Sequence, residues 1–378
     1  MDWINTSSEF LAQQIPCGYE RDSQPQTEPT AVAALALLAL DQSANPRRFT
    51  TPIQSARAWL AQTQNTDGSL GPNRDHAIPG WPTTWALIVE AAATELPPAP
   101  SSLDVGQGLD WLLGTKGMTM PRSQGGHAEL SVLHDVELVG WPWVTGTHTW
   151  LEPTCLAILA LKAHGLGRHP RVREGVTVLF DRILPAGGCN YGNTVVLGQE
   201  LRAHVQPTGL LLLALAHEAD WPLGPSAMGS FLCPGYRCDG GEIKLPAPVA
   251  DSAAAYKRQT QLKKSLAWLL SELGTDSTAA SLSYGLLGLA AQGIRPRYAV
   301  DWLEKSAQRV WQGDRSPYRL ALLLYAAARL RQLPVTIPPT AESPANHAAK
   351  SNPPERAARG LAIVNWHAGK LATVGGAP

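Results

Sequence analysis

Several things are scarce in this sequence, and each scarcity excludes a class. It contains no apolar run of about 20 residues and no apolar stretch behind a basic start, so neither a membrane span nor a signal peptide is expected. Net charge is absent: 31 Lys and Arg balance 31 Asp and Glu, which leaves no basic field for a general nucleic-acid binder. The five cysteines are odd in number and irregular in spacing, so no disulfide framework is implied and the cytoplasm is the expected compartment. Phenylalanine is nearly missing, with 4 residues against 13 Trp. What remains is ample for a core. Hydrophobic residues make up 44% of 378, a length that fits two or three domains or one large helical domain.

Gly (34) and Pro (31) are plentiful, yet the Ala/Leu runs between them are strongly helical. Four segments share a Pro-Thr pair followed by such a run: "TEPTAVAALALLAL", "GWPTTWALIVEAA", "WLEPTCLAILALKAHG" and "VQPTGLLLLALAHEA". Their prolines are Pro29, Pro82, Pro153 and Pro207, spaced by 53, 71 and 54 residues. "TDSTAASLSYGLLGLAAQG" is a fifth copy without proline, and "RSPYRLALLLYAAARL" is a degenerate sixth. Pro suits a first helical turn, where its missing N–H has no partner to lose. The runs that follow are apolar nearly all round, so protein must surround them. Amphipathic segments lie between the copies, for example "TPIQSARAWLAQTQ" and "HPRVREGVTVLFDRIL". The unit is an outer helix, a Gly turn and a buried inner helix, about 55 residues repeated five or six times. The fold expected is all-α, a closed α/α toroid of five to six helix pairs over residues 25–332. An N-terminal extension (1–24) precedes it, and insertions fall at about 128–149 and 220–256.

These repeats resemble the prenyltransferase and squalene–hopene cyclase repeat family. "QTQNTDGSLG" matches the family's outer-helix Gln and Gly-rich turn, with Leu70 where an aromatic is usual. "GGCNYGN" resembles "GGWNYGN", with Cys189 in the Trp place and Tyr191 kept. The resemblance implies an isoprenoid ligand in a central apolar cavity. The family's cyclases carry Asp-X-Asp-Asp at an inner-helix start, and its middle acid protonates an alkene. That triple is missing here. On the same register the middle acid falls on Glu28 in "QTEPTA" and on Glu152 in "WLEPTC". No Asp-Asp-X-X-Asp motif for magnesium and diphosphate and no Asp-X-Cys zinc pattern occur either, so no metal and no cofactor is expected.

Glu28 and Glu152 therefore have two readings: paired with the helix N-terminus, or proton donor at the cavity. "HDVELVGWPWVTGTHTW" accounts for the long spacing and supplies Asp135 as a third candidate acid. It also supplies Trp141, Trp143, His148 and Trp150, which could wall an apolar cavity or plug one end of the ring. With Trp81, Trp85, Gln206 and the Cys189, Asn190 and Tyr191 turn, they form the expected substrate-binding set. For Cys189 the alternatives are a reactive thiol and a small residue filling the Trp place. Cys233 and Cys238 are spaced as in some zinc sites but lack two further ligands.

Residues 333–378 read as a Pro/Ala-rich linker with 335–356 disordered and dispensable, then a mildly apolar tail that suits docking on the toroid, on a partner or on a membrane surface. The function expected is terpene-cyclase-like: binding or acid-initiated cyclisation of an isoprenoid or other apolar ligand. Two alternatives stand beside it, a non-catalytic isoprenoid-binding scaffold and a carbohydrate-active enzyme with paired carboxylates. A cavity lined by Leu, Ala and Trp favours the first two.

Overall fold

The computed structural model describes residues 2–43, 48–120, 134–216 and 253–333. The chain divides into two units, 1–338 and 339–378, and the second lies outside the described residues. So do the linker and tail, Cys233 and Cys238, the first residues of the first insertion and most of the second.

The described residues hold twelve helices and one two-stranded hairpin, Val195–Val196 with Gln199–Glu200. The all-helical expectation holds. Six helices are the Ala/Leu runs: α2 (Thr27–Ser43), α4 (Pro82–Ala92), α6 (Leu151–Ala163), α8 (Val205–Ala214), α10 (Ala279–Ala291) and α12 (Pro317–Arg331). They are buried along almost their whole length, as their all-round apolarity requires. The amphipathic segments form α3 (Thr50–Thr63), α5 (Val105–Gly114), α7 (Pro170–Asp181), α9 (Ala253–Glu272) and α11 (Ala299–Gln312). Each lies against the run that its sequence adjoins. The N-terminal extension contains one more helix, α1 (Trp3–Gln14), capped by Asp2 and packed on α12, α2, α3 and α11. No helix among the described residues is long and apolar enough to cross a membrane.

The buried helices contact one another in the order α2, α4, α6, α8, α10, α12, and α12 packs back on α2. Contact between α8 and α10 is glycine-mediated. A Cβ on Gly209 would sit 2.3 Å from the Tyr284 carbonyl oxygen, and one on Gly288 would sit 2.3 Å from the Gly209 oxygen. Larger residues would force the helices apart.

The Pro-Thr pair does more than start a helix. In all four copies the threonine hydroxyl accepts a hydrogen bond from a backbone N–H in the preceding turn. The pairs are Cys17 to Thr30 (3.1 Å), Leu70 to Thr83 (2.8 Å), Trp141 to Thr154 (3.0 Å) and Cys189 to Thr208 (3.0 Å). Each threonine clamps its turn to the helix start for about 1 kcal/mol. These four turn residues therefore occupy one equivalent place.

Neighbouring turns are stitched as well. The Thr27, Trp81 and Leu151 N–H groups donate to the carbonyls of Pro72, Trp143 and Tyr191 in the next turn along. The Ser316 hydroxyl at the start of α12 donates to the Tyr19 carbonyl, which links the last run to the segment before the first. The N-terminal ends of α12, α2, α4, α6 and α8 are thus tied in series at one rim.

Candidate functional site

The rim brings the two register carboxylates into one electrostatic neighbourhood. Glu28, in the first turn of α2, accepts three hydrogen bonds. Tyr19 donates from the preceding turn (2.6 Å), Tyr318 from α12 (2.9 Å), and the Trp81 indole from the start of α4 (3.3 Å). Tyr284 of α10 lies close enough to Glu28 and Tyr318 for both to act on its phenol, which burial pushes up. Tyr19 and Tyr318 also meet edge to face, with ring centroids 4.9 Å apart.

Glu152 occupies the same position in α6 with fewer partners. It is 6% exposed and accepts one bond, from the Gln206 amide at 3.0 Å. Burial pushes its carboxyl up, the Gln206 bond opposes that, and the charge of Glu28 adds to the rise. The net result is a pKa of about 7. Desolvation disfavours the carboxylate more than one amide donor can restore. An acid in this state is a proton reservoir at neutral pH.

Between the six buried helices lies a cavity of about 30 Å³. All six buried helices contribute to its wall: Val32 and Leu35, Trp85 and Ile88, Leu159 and Ala163, Leu210 and Leu213, Tyr284 and Leu287, Leu322 and Tyr325. Helical spacing connects the two levels. Residues at i, i+4 and i+7 share one face. Glu28, Val32 and Leu35 are such a set, as are Trp81, Trp85 and Ile88; Gln206, Leu210 and Leu213; and Tyr318, Leu322 and Tyr325. Rim residues therefore stand one turn above the cavity wall. On α10 the rim register falls on Ala280, and Tyr284, one turn on, makes the contact to Tyr318 instead.

The other expected site residues divide. Tyr191 is near enough to Glu152 for that carboxylate to help burial raise its phenol. It also lies beside the exposed His204, ring centroids 5.5 Å apart. Trp143 backs Trp81 edge to face at 5.3 Å. Trp150 is the residue before α6, half-buried, with its ring over Gly192. Asn190 is buried in the turn, its side-chain oxygen accepting from the Gly192 N–H while its amide nitrogen has no partner.

Three expectations need correction. Trp141 is not part of the cavity wall. It is 2% exposed, donates from its indole to the Leu112 carbonyl of α5 (2.8 Å) and carries the Arg171 guanidinium of α7 at 4.1 Å. It fills the turn place that Leu70 and Cys189 fill in other repeats. His148 is exposed and meets the Met118 carbonyl at 3.3 Å. Asp135 sits at the end of α7, where its backbone N–H donates to Asp181 and Arg182 is a charge neighbour. Neither residue contacts Glu28 or Glu152 in any bond described for the rim.

Cys189 is settled by its surroundings. It is buried, clamped through its backbone by Thr208, and its Sγ lies 3.8 Å from that hydroxyl. Burial pushes the thiol up, as it does for Cys155. A thiol held protonated is a poor nucleophile and a poor metal ligand. Among the described residues no cluster of three or more His, Cys, Asp or Glu could hold a metal ion.

Sequence reasoning passed over Tyr19, Tyr284 and Tyr318. Tyr318 had a signal: four residues before Leu322, it sits in the rim register of the degenerate sixth copy. Tyr19 had only its place two residues after Cys17, which becomes visible once Cys17 is aligned with Cys189.

No family model matches the chain, and no curated protein matches it significantly.

Proposed function

We propose that this chain is a terpene-cyclase-like α/α toroid that takes an isoprenoid at the rim and axis of its six buried helices, with Glu152 as the proton donor. The observation that carries the reading is Glu152 itself, a buried carboxyl with a pKa of about 7 on the same helix face as Leu159 of the apolar cavity wall, two turns before it. The return contact of α12 on α2 supports the closed ring. In the proposed step the Glu152 O–H bond breaks and its proton adds to one carbon of an alkene, leaving a tertiary cation. The Gln206 amide then holds the new carboxylate. The faces of Trp81, Trp85 and Tyr284 supply the quadrupole that a cation needs in a water-poor site. Glu28 is already engaged by three donors. Three buried free cysteines support the reducing cytoplasm as the proposed setting.

The cavity volume favours one second reading, a non-catalytic isoprenoid-binding toroid. About 30 Å³ is room for a small group, and a whole isoprenoid enters only if wall side chains turn aside. Carbohydrate chemistry is the weaker alternative, because the wall below the carboxylates is almost wholly aliphatic and aromatic. Incubation of the protein with a panel of linear polyprenes and polyprenols, followed by mass spectrometry, separates the readings. New cyclic products that vanish in Glu152→Gln support catalysis. Retention of unchanged isoprenoid by both forms supports binding alone. Failure to retain any polyprene overturns the proposal.

A further inference from the structure

One residue of the cavity wall carries an unanswered donor. Trp85 lines it and is 6% exposed, and its indole Nε1 is buried with no hydrogen-bond partner. An indole nitrogen can only donate, and leaving it unmatched in a dry interior is costly. Native structures keep such a group where something absent from the bare chain completes it.

A structural water is a poor candidate. A buried water makes about three hydrogen bonds. Nine of the twelve wall residues have no polar side-chain atom. The two phenols, Tyr284 and Tyr325, are the other polar side chains of the wall, and the Tyr325 ring lies under the Arg329 guanidinium at 5.1 Å. A buried, unpartnered indole N–H in a largely aliphatic wall suits a ligand with an acceptor atom and an otherwise hydrocarbon body. The depth also fits. Trp85 stands one helical turn below Trp81, whose indole is already committed to Glu28.

We propose that the indole N–H of Trp85 receives an acceptor oxygen carried by the ligand, so that the preferred ligand is an oxygen-bearing isoprenoid, an alcohol or ether, in preference to a pure hydrocarbon. This rests on the isoprenoid reading above and specifies its substrate class.

Two probes of matched shape test it by equilibrium dialysis with mass-spectrometric detection: farnesyl methyl ether, which accepts but cannot donate, and the hydrocarbon farnesene. Wild-type protein should bind the ether about tenfold more tightly, the worth of satisfying one buried donor. Trp85→Phe keeps an aromatic ring and removes the N–H. Whatever its affinity for farnesene, it should lose the preference for the ether. Equal binding of the two probes by wild type, or a preference that survives in the Phe variant, overturns the inference while leaving the isoprenoid reading intact. Failure of wild type to bind either probe overturns that reading and the inference with it. Should the variant not fold, wild-type protein labelled with 15N at its indoles decides: one indole N–H signal should move downfield with the ether and not with farnesene. An indole spectrum that responds identically to both probes overturns the inference.

Discussion

Glu28 and Glu152 are the same residue in two copies of one repeat, and their surroundings differ. Each is the second residue of its helix and precedes a proline. Each receives a donor from the start of the next buried helix, Trp81 for Glu28 and Gln206 for Glu152. The divergence lies in two other places. Two residues beyond the clamped turn residue, the first copy has Tyr19, whose hydroxyl reaches Glu28; the other has Trp143, whose ring turns to Trp81. On the preceding buried helix, Glu28 has Tyr318 as a second phenol donor, whereas the Trp81 that precedes Glu152 gives its N–H to Glu28. Glu28 has three donors around it, and Glu152 has a single donor and deeper burial, which pushes its carboxyl up to about 7. Repeat position brings both acids to the rim; the neighbours decide what each can do.

The comparison can be broken most completely at Glu152. Glu152→Gln keeps the Gln206 contact and the shape, so the protein should fold and bind isoprenoid while turnover falls to background in a product assay. The matched change Glu28→Gln should leave a proton donor in place. Retained turnover in the first variant would remove Glu152 from its role.

A second test asks whether the rim depends on the close approach of α8 and α10. Gly209→Ala adds a Cβ against the Tyr284 carbonyl and should destabilise the fold by about 1–3 kcal/mol in denaturant unfolding. A neutral result would show that the two helices can separate freely.

The clamp should cost less. Thr208→Val and Thr83→Val each remove one turn-to-helix bond, and each should lower stability by about 1 kcal/mol. Of the two, only Thr208→Val frees the Cys189 turn beside Glu152, so only it should also alter thiol labelling of Cys189.

A further effect is expected on pH dependence. The Glu152 pKa is raised when folded, so the native state holds a proton that the unfolded chain has lost. Stability should therefore rise as pH falls from about 7 toward the ordinary carboxyl value of 4.5. His134 works against this. Burial lowers it to about 4, with the Arg182 charge adding, so it costs stability as pH falls through the range below 6.5. The difference between wild type and Glu152→Gln, followed by thermal unfolding from pH 5 to pH 8, isolates the first contribution. A difference that does not change with pH would deny the raised pKa.

Much of this was legible in the sequence, for physical reasons that can be named. Helices apolar all round and helices with one apolar stripe were separable by pattern, and the Pro-Thr starts marked where the buried ones begin. Glu28 and Glu152 followed from that register. Helix α1 did not, because "WINTSSEFLAQQ" carries no repeat signature and is held by Asp2 capping and by tertiary packing. Trp141 misled because an aromatic in an insertion looks functional; its backbone clamp by Thr154 instead identifies it as the ordinary turn residue. The tyrosines around Glu28 were hidden because they come from three separate stretches of chain. Only the return of α12 to α2 brings Tyr318 beside Tyr19.

The direct test of the account is the protonation state of Glu152. Infrared difference spectroscopy of wild type against Glu152→Gln, stepped through pH, reads the protonated carboxyl stretch of this one residue. The account predicts a band that is present at pH 6, disappears with a midpoint at about 7, and is missing from the variant. A band already lost by pH 5 would show an ordinary carboxylate at the rim and contradict it.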